Sequence, residues 1–252
     1  MHTVEVRNKP EIEEFLRLPY RIYASDPNWI PHFRQDIEAV FDKKLNKFWR
    51  HGEAVRWILK DDAGQTIGRV AAFVNKKATK ENKQPTGGCG FFECIHNQDA
   101  ANVLLDTARD WLKSKGMAAM DGPINFGEKD KFWGLITENF DLPPYYGQNY
   151  NPAYYNSLFT EYGFKVYYNQ FIFYRAVNDP LQEKFNERAN RLMADPDYTC
   201  IHINKRQLEK FAEDFRIVYN RAWVTHENFK GMSKEQSRSI MNRLKPVLDE
   251  KL

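Results

Sequence analysis

The sequence predicts a mixed α/β domain, with a central sheet flanked by helices, followed by a mostly helical segment. Short apolar strands alternate with amphipathic helical stretches along the first part of the chain. The turn Asp61-Asp62-Ala63-Gly64 joins two strand-like runs and is typical of a hairpin. After residue 176 the apolar spacing is chiefly helical. These three observations together indicate the fold class α/β (α+β).

Composition narrows the class of protein. The chain has 252 residues, with 37 Lys and Arg against 34 Asp and Glu, so its net charge is +3. This charge is too small to favour a nucleic-acid partner, and no stretch approaches the roughly 18 apolar residues of a membrane span. The chain has three cysteines, Cys89, Cys94 and Cys200. This small, odd number argues against a disulfide framework and indicates a reducing, cytoplasmic location. We expect no membrane partner.

No metal site is expected either. The six histidines have no metal-ligand spacing, and His96 is the one that lies near the proposed cleft described below. Cys89 and Cys94 are an odd number of residues apart in one predicted strand. Their side chains should therefore point to opposite faces of the sheet and cannot share a metal.

The elements follow from local patterns. Val4 and Val6 alternate as in a strand, Asp99 can cap a helix, and Gly116 follows that helix's apolar stripe. In chain order we predict a strand at 3–7, helices through 12–23 and 33–41, hairpin strands at 55–59 and 66–75, a polar loop at 75–86, a strand at 88–95, a helix to 115 and a strand at 117–120.

The segment 121–150 is a long aromatic connection rich in Gly and Pro, of the kind that is usually functional. Asn151, Pro152 and Gly163 punctuate the helix that follows, as N-cap, first residue and terminator. Residues 164–175 are then predicted to form two strands or one bent strand.

An internal repeat is visible at an offset of 196 residues. Ile12, Phe15, Ile22 and Tyr23 match Leu208, Phe211, Val218 and Tyr219, and a strand at 200–204 precedes the second set. One interpretation is two generic amphipathic helices. We favour a second, incomplete copy of the first fold at 199–252, after a first domain at 1–176 and a helical connector at 177–198. Ser233 and Gln236 form a capping box for the last helix.

The order of elements resembles the GNAT acyltransferase superfamily, and 151–164, from Asn151-Pro152 to Gly163-Phe164, resembles that superfamily's fourth helix. The whole chain is also similar to a bacterial group with two GNAT-like domains in tandem, through the stretches 68–71, 90–93, 122–126 and 220–223. The resemblance implies a mostly antiparallel sheet and acyl transfer from acetyl-CoA or another acyl-CoA to a small-molecule or peptide amine.

The resemblance also implies site residues. Glu93, on the fourth strand, would be the catalytic base, and burial beside Phe91 and Phe92 could raise its pKa; the alternative is a sheet glutamate paired with Lys or Arg. Predicted cofactor-binding residues are Phe92, Cys94, Asn97, Gln98, Asn151 and Tyr155. Predicted substrate-pocket residues are Asn125, Phe126, Trp133, Tyr150 and Tyr154, whose alternative role is to anchor their own loop.

Two departures from the family favour other functions. The phosphate-binding turn reads His96 to Asn102 without glycine and with Asp99, and Phe159 stands where the family often has a proton-donating Tyr. A non-catalytic binding or scaffolding module is therefore the alternative, and an aminoacyl-tRNA-dependent transferase, using the lysines of 76–83, is the third hypothesis. The incomplete second domain also leaves a homodimer open. A split between strands four and five that Glu93 faces would favour the enzyme; a split filled by Phe91, Trp133 or Tyr155 would favour the module.

Overall fold

The computed structural model describes residues 1–81, 84–199, 201–225 and 231–251, without the side chains of residues 78, 80 and 81. The chain divides into two compact units, Met1–Ile172 and Phe173–Leu252. The predicted domain boundaries at 176 and 198 stay predictions.

The first unit is built on a five-stranded sheet in the order β1-β2-β3-β4-β5. The strands are β1 (His2–Glu5), β2 (Gly52–Lys60), β3 (Thr66–Asn75), β4 (Thr86–Cys94) and β5 (Ala119–Asp121). Neighbours from β1 to β4 pair antiparallel, whereas β4 and β5 pair parallel. This confirms the predicted mixed fold with a mostly antiparallel sheet, and it is consistent with a GNAT-like arrangement.

The helices of the first unit are α1 (Lys9–Ile22), α2 (Arg34–Phe41), α3 (Lys76–Glu81), α4 (Gln98–Ser114) and α5 (Tyr154–Tyr162), with a 3-10 turn at Lys47–Arg50. Asn8 begins α1 with a reciprocal capping box to Glu11. Gly163 ends α5 in the left-handed conformation, at φ 112°, as its position in the sequence predicts.

The sheet carries a separate apolar cluster on each face. On one face, buried residues of α4 and α5, such as Leu104 and Phe159, pack against Val70 and Phe92. On the other face, Phe15 of α1 and residues of α2 pack with Ile58, Phe73 and Phe126. Both faces are therefore covered, which fixes the direction in which each strand residue points.

A bulge in β4 overturns one expectation. Between the pairs Ala71↔Gly90 and Arg69↔Glu93, β4 advances three residues while β3 advances two. Phe91 sits at the bulge with φ 51°. The extra residue shifts the alternation by one, so Cys89 and Cys94 both belong to the α4/α5 face. The prediction of opposite faces for the two cysteines is wrong because it assumed a regular strand.

Two predicted helix caps are also wrong. Asn97, rather than Asp99, caps α4, since its side chain accepts from the Ala100 N–H. Helix α5 begins at Tyr154 with no side-chain cap. The Asn151 side chain instead accepts the N–H of Ile136 at 2.7 Å, so it fixes the preceding loop.

Two further predictions, a loop at 75–86 and strands at 164–175, differ from the structure. The predicted polar loop at 75–86 contains the short helix α3. The predicted strands at 164–175 do not form; this segment exposes Tyr167 and Val166, and none of its described residues is paired in a sheet. Its alternating pattern resembles a strand, but a strand requires a neighbour with which to hydrogen-bond.

The second unit contains α6 (Glu183–Ala194), a 3-10 turn at Lys205–Gln207, α7 (Leu208–Trp223) and α8 (Lys234–Leu244). Ser233 and Gln236 form the predicted capping box of α8. In the predicted strand at 200–204, Cys200 lies outside the described residues, and 201–204 are not in a strand. Asn204 caps the 3-10 turn, and its position is that of the α1 cap Asn8 shifted by the repeat offset of 196. Among the described residues, no helix has the length and apolar character needed to cross a membrane.

Candidate functional site

The candidate site is a small cavity of about 50 Å³, open to solvent, on the α1/α2 side of the sheet in the first unit. Its floor is the end of β4, with Phe92 and Glu93, and its walls come from α1 and the long connection after β5. Trp29 and Phe132 supply much of its apolar lining. A concave, largely aromatic site with a few converging polar groups is the usual form of a ligand pocket.

Glu93 is the centre of a polar network at the cavity floor, with its side chain only 11% exposed. Its Oε1 accepts from Arg69 Nη2 at 3.2 Å. Its Oε2 accepts the hydroxyls of Tyr23 and Tyr155, each at 2.8 Å. These four side chains, hereafter the Glu93 quartet, come from β4, β3, the end of α1 and α5.

Arg69 is opposite Glu93 because the two residues are direct partners in the β3–β4 register. Its guanidinium lies over the Phe15 ring and donates from Nη1 to the Phe15 carbonyl at 2.6 Å. Arg69 Nε is buried and has no hydrogen-bond partner among the described residues. The alternative role of Glu93, a sheet glutamate paired with an arginine, thus has a definite partner.

Burial raises the pKa of Glu93, while the charge of Arg69 and the hydroxyls of Tyr23 and Tyr155 oppose that rise. Burial also raises the pKa of Tyr155 well above its usual value, with the Glu93 charge acting in the same direction. Tyr155 therefore stays protonated at neutral pH, and its hydroxyl donates a hydrogen bond to Glu93.

The split between β4 and β5 is present and partly filled. The two strands pair only as far as Gly88 and Asp121. Past this point, Tyr155 donates to Glu93 and accepts the Cys94 N–H at 2.8 Å. The Tyr154 hydroxyl donates to the Cys94 carbonyl at 2.8 Å. Glu93 faces the cavity beside this split, whereas Tyr155, one of the residues whose presence in the split would favour the module, bonds the Cys94 main chain together with Tyr154.

His32 also lines this cavity, and sequence reasoning missed it. Its ring packs edge-on against Phe132, with centroids 4.8 Å apart. Burial and the charge of Arg69 lower the pKa of His32 to about 4, against a weaker opposing effect of Asp36. The imidazole is therefore neutral at neutral pH. His96, the histidine expected near the cleft, does not line the cavity and stacks on Tyr154.

Five of the predicted site residues meet in the cavity: Phe92, Glu93, Tyr150, Asn151 and Tyr155. Others have structural contacts elsewhere. Phe126 is buried in the cluster with Phe73, and the Trp133 indole donates to the Tyr168 hydroxyl. The remaining predicted residues that do not line the cavity are Cys94, Asn97, Gln98, Asn125 and Tyr154.

The sequence contains only weak indications of the site residues that it did not predict. Arg69 lies in the stretch 68–71, but its neighbour Glu93 could be found only from the register across the bulge. Tyr23 stacks on Trp29 near the cavity, with ring centroids 5.0 Å apart; Tyr23 ends the predicted helix 12–23, whereas Trp29 lies in a turn-rich corner of the sequence at 26–31. His32 follows Pro31 in the same corner and had no helical or strand pattern to orient it.

The predicted phosphate turn does not fit a diphosphate in the manner that the resemblance implies. Asn97 uses its side chain to cap α4, and Asp99 places a carboxylate in the first turn of that helix. Gln98 donates to Leu158 O at 3.2 Å, and its own carbonyl oxygen is buried without a partner among the described residues. Side chains of the protein therefore fill the N-terminus that would receive phosphate.

The other predicted binding elements give little support to their hypotheses. In the basic segment 76–83, Lys76 pairs with Glu53 at 2.9 Å, whereas Lys83 and the Lys80 side chain lie outside the described structure. Within the described residues, no group of three or more His, Cys, Asp or Glu side chains is arranged to hold a metal ion.

Comparison with known proteins gives two curated relatives, and no family model matches the chain. The chain is 27% identical over 258 residues to a protein named bacterial ceramide synthase, from Caulobacter vibrioides. It is 24% identical over 246 residues to protein YghO of Escherichia coli. These alignments cover 100% and 96% of this chain, but only 65% and 61% of the relatives.

Among solved structures, the chain has low similarity to two acetyltransferases. One is a Pyrococcus furiosus protein assigned as an acetyl transferase, with a TM-score of 0.38 and 16% identity over 70% of this chain and all of the other. The second is a GNAT-family acetyltransferase from Staphylococcus aureus, with a TM-score of 0.34 and 14% identity over 46% of this chain and 68% of the other. Likenesses at these TM-scores are too weak to support an assignment of activity.

Proposed function

We propose that this chain transfers an acyl group from an acyl-CoA thioester to an amine. The observation that supports the proposal is Glu93, a carboxylate buried at the end of β4 and facing a cavity of mixed polar and apolar lining beside the β4–β5 split. A carboxylate in such a place attracts and orients an ammonium group, because both charges interact strongly once water is excluded.

The reaction forms one bond and breaks one. The bound ammonium first releases one proton to solvent. The neutral amine nitrogen then attacks the thioester carbonyl carbon, a C–N bond forms, the C–S bond breaks, and the thiol leaves with the second proton that the nitrogen loses. Glu93 supplies the negative charge that holds the amine, and its predicted role as the base stays a prediction. Arg69 and the tyrosines 23 and 155 fix the carboxylate in place through their hydrogen bonds.

A long-chain amine is the acceptor class that we propose. The name of the Caulobacter relative, bacterial ceramide synthase, denotes formation of an amide between a fatty acyl group and a long-chain amino alcohol. The cavity wall offers Leu16, Trp29, Ile37, Phe132 and Leu135 as apolar contacts for an alkyl chain. The likeness in sequence and the lining both favour an acceptor with a polar amine end and an apolar tail.

The test is a coupled assay with palmitoyl-CoA as donor and sphinganine, octylamine and a lysine peptide as acceptors. Released CoA thiol is measured colorimetrically, and the amide is identified by mass spectrometry. We expect amide formation with sphinganine. Glu93→Gln should lower kcat/KM about 100-fold or more, whereas Glu161→Gln, an exposed change on α5, should leave it unchanged.

One observation favours the alternative, a non-catalytic binding module: Tyr154 and Tyr155 bond both main-chain groups of Cys94, which is one of the predicted cofactor-binding residues. Calorimetric titration with acetyl-CoA and CoA separates the two hypotheses. Micromolar binding supports the transferase. No binding at millimolar ligand, together with no amide product, refutes it and favours the module.

A further inference from the structure

His32 lines the same cavity as Glu93, and the proposed reaction does not yet use it. It lies in the connection between α1 and α2, where Phe132 holds its ring edge-on. Neither ring nitrogen is hydrogen-bonded to another residue within the described ranges. A neutral imidazole offers one donor and one acceptor, so His32 has a lone pair available to a ligand.

The surroundings of His32 keep it neutral. The charged and phenolic side chains that line the cavity or act on His32 are Arg34, Asp36, Arg69, Glu93, Tyr20, Tyr150 and Tyr155. Burial and Arg69 together lower the pKa of His32 to about 4. Its affinity for a proton is then similar to that of an ordinary carboxylate, which is the commonest alternative base in proteins.

Glu93 is less free to act as the base than the sequence suggests. Its Oε2 already accepts two tyrosine hydroxyls, and its Oε1 accepts Arg69. Protonation of Glu93 would remove the negative partner of a buried arginine, which is costly in the interior. Glu93 is therefore suited to hold charge, whereas His32 lines the same cavity with a ring nitrogen that is not engaged by another described residue.

We propose that His32 is the proton-transfer group of the acyl transfer, a role that rests on the proposed function. As the amine nitrogen bonds to the thioester carbon, its proton passes to the free nitrogen of the His32 imidazole. When the C–S bond breaks, the imidazolium returns that proton to the thiolate sulfur. One proton leaves nitrogen and one arrives at sulfur, so the step balances without another reactant.

The return of the proton is favourable. A thiol has a pKa of about 8.5, so an imidazolium in this cavity donates to a thiolate readily. This role also fills the place left by Phe159, which has no proton to give and is packed against Phe92 with ring centroids 4.9 Å apart.

The test compares wild type, His32→Ala and His32→Gln with palmitoyl-CoA and sphinganine, and adds imidazole and methylimidazoles to each. The expected result is a loss in kcat of about 100-fold in both variants, and at least a tenfold recovery of His32→Ala by added imidazole. Recovery should increase with the basicity of the added base, a dependence that a purely structural role would not produce. His2→Ala, at an exposed position of β1, is the matched control and should show neither effect.

Three results would overturn the inference. The first is activity of His32→Ala or His32→Gln within about threefold of wild type. The second is a loss of activity that no imidazole restores although circular dichroism shows that the variant is folded. The third, no turnover by wild type itself, refutes the proposed function, and the inference with it.

Discussion

Replacing His32 by Gln tests the electrostatics of the cavity independently of any activity. In the folded protein the pKa of His32 is about 4, whereas its ordinary value is 6.5. The unfolded chain therefore binds this proton first as the pH falls below 6.5, and the folded state loses stability between pH 6.5 and 4. A shift of this size corresponds to up to about 3 kcal/mol, at 1.36 kcal/mol for each pKa unit.

The assay is urea unfolding at pH 7 and pH 4, followed by tryptophan fluorescence. Five of the six tryptophans, at positions 29, 49, 57, 111 and 133, lie in the first unit, so the signal reports mainly on the unit that contains His32. Wild type should lose about 3 kcal/mol more than His32→Gln between these two pH values, and His2→Gln should behave as wild type. Equal losses in wild type and His32→Gln would refute the account, as would an NMR titration of the His32 imidazole near pH 6.5.

Three further predictions concern the sheet and its polar network. Arg69→Met should lower the free energy of unfolding by about 3–5 kcal/mol, because it leaves the Glu93 charge buried and unpaired. In urea unfolding, the double variant Arg69→Met, Glu93→Gln should lose less stability than Arg69→Met alone. A larger loss in the double variant would contradict this account. Gly90→Ala should cost about 1–3 kcal/mol or more, since its Cβ would lie 1.9 Å from the Ile124 carbonyl oxygen; an unchanged melting temperature would contradict this. The Cys89 thiol, buried and with its pKa raised to about 12, should resist alkylation in the native protein and react only after unfolding; mass spectrometry of the modified peptides would show native labelling if this is wrong.

Local patterns predicted those parts of the fold that local physics determines. The hairpin after Asp61 and the end of α5 at Gly163 depend on turn chemistry within a few residues. The strands predicted at 164–175 depend on a distant partner instead, and their alternating apolar residues alone could not provide one. The same limit explains the cysteines, because one extra residue at Phe91 reverses the expected faces without any change in composition.

The candidate site was predictable in its centre and not in its surroundings. Glu93 stood out as a carboxylate among aromatics on a predicted strand. Arg69 and Tyr23 reach it from two other elements, and His32 lines the same cavity; only the register and the course of the α1–α2 connection place these residues there. The position of Tyr155 on the predicted fourth helix indicates a cofactor contact, whereas in the structure its hydroxyl donates a hydrogen bond to Glu93.

The energetics of the Glu93 quartet bear on the choice between enzyme and module. A buried ion pair adds little to stability, because removing both charges from water costs about as much as their attraction returns, and apolar residues of similar volume often do as well or better. Arg69 and Glu93 stand opposite each other on two central strands, where ordinary β-branched residues would pack without that cost. Their side chains instead meet two tyrosine hydroxyls at the floor of a cavity that is open to solvent. A transferase would use a fixed charge of this kind to hold an amine at the cavity. The quartet therefore favours the transferase, even though Tyr154 and Tyr155 bond the main chain of Cys94.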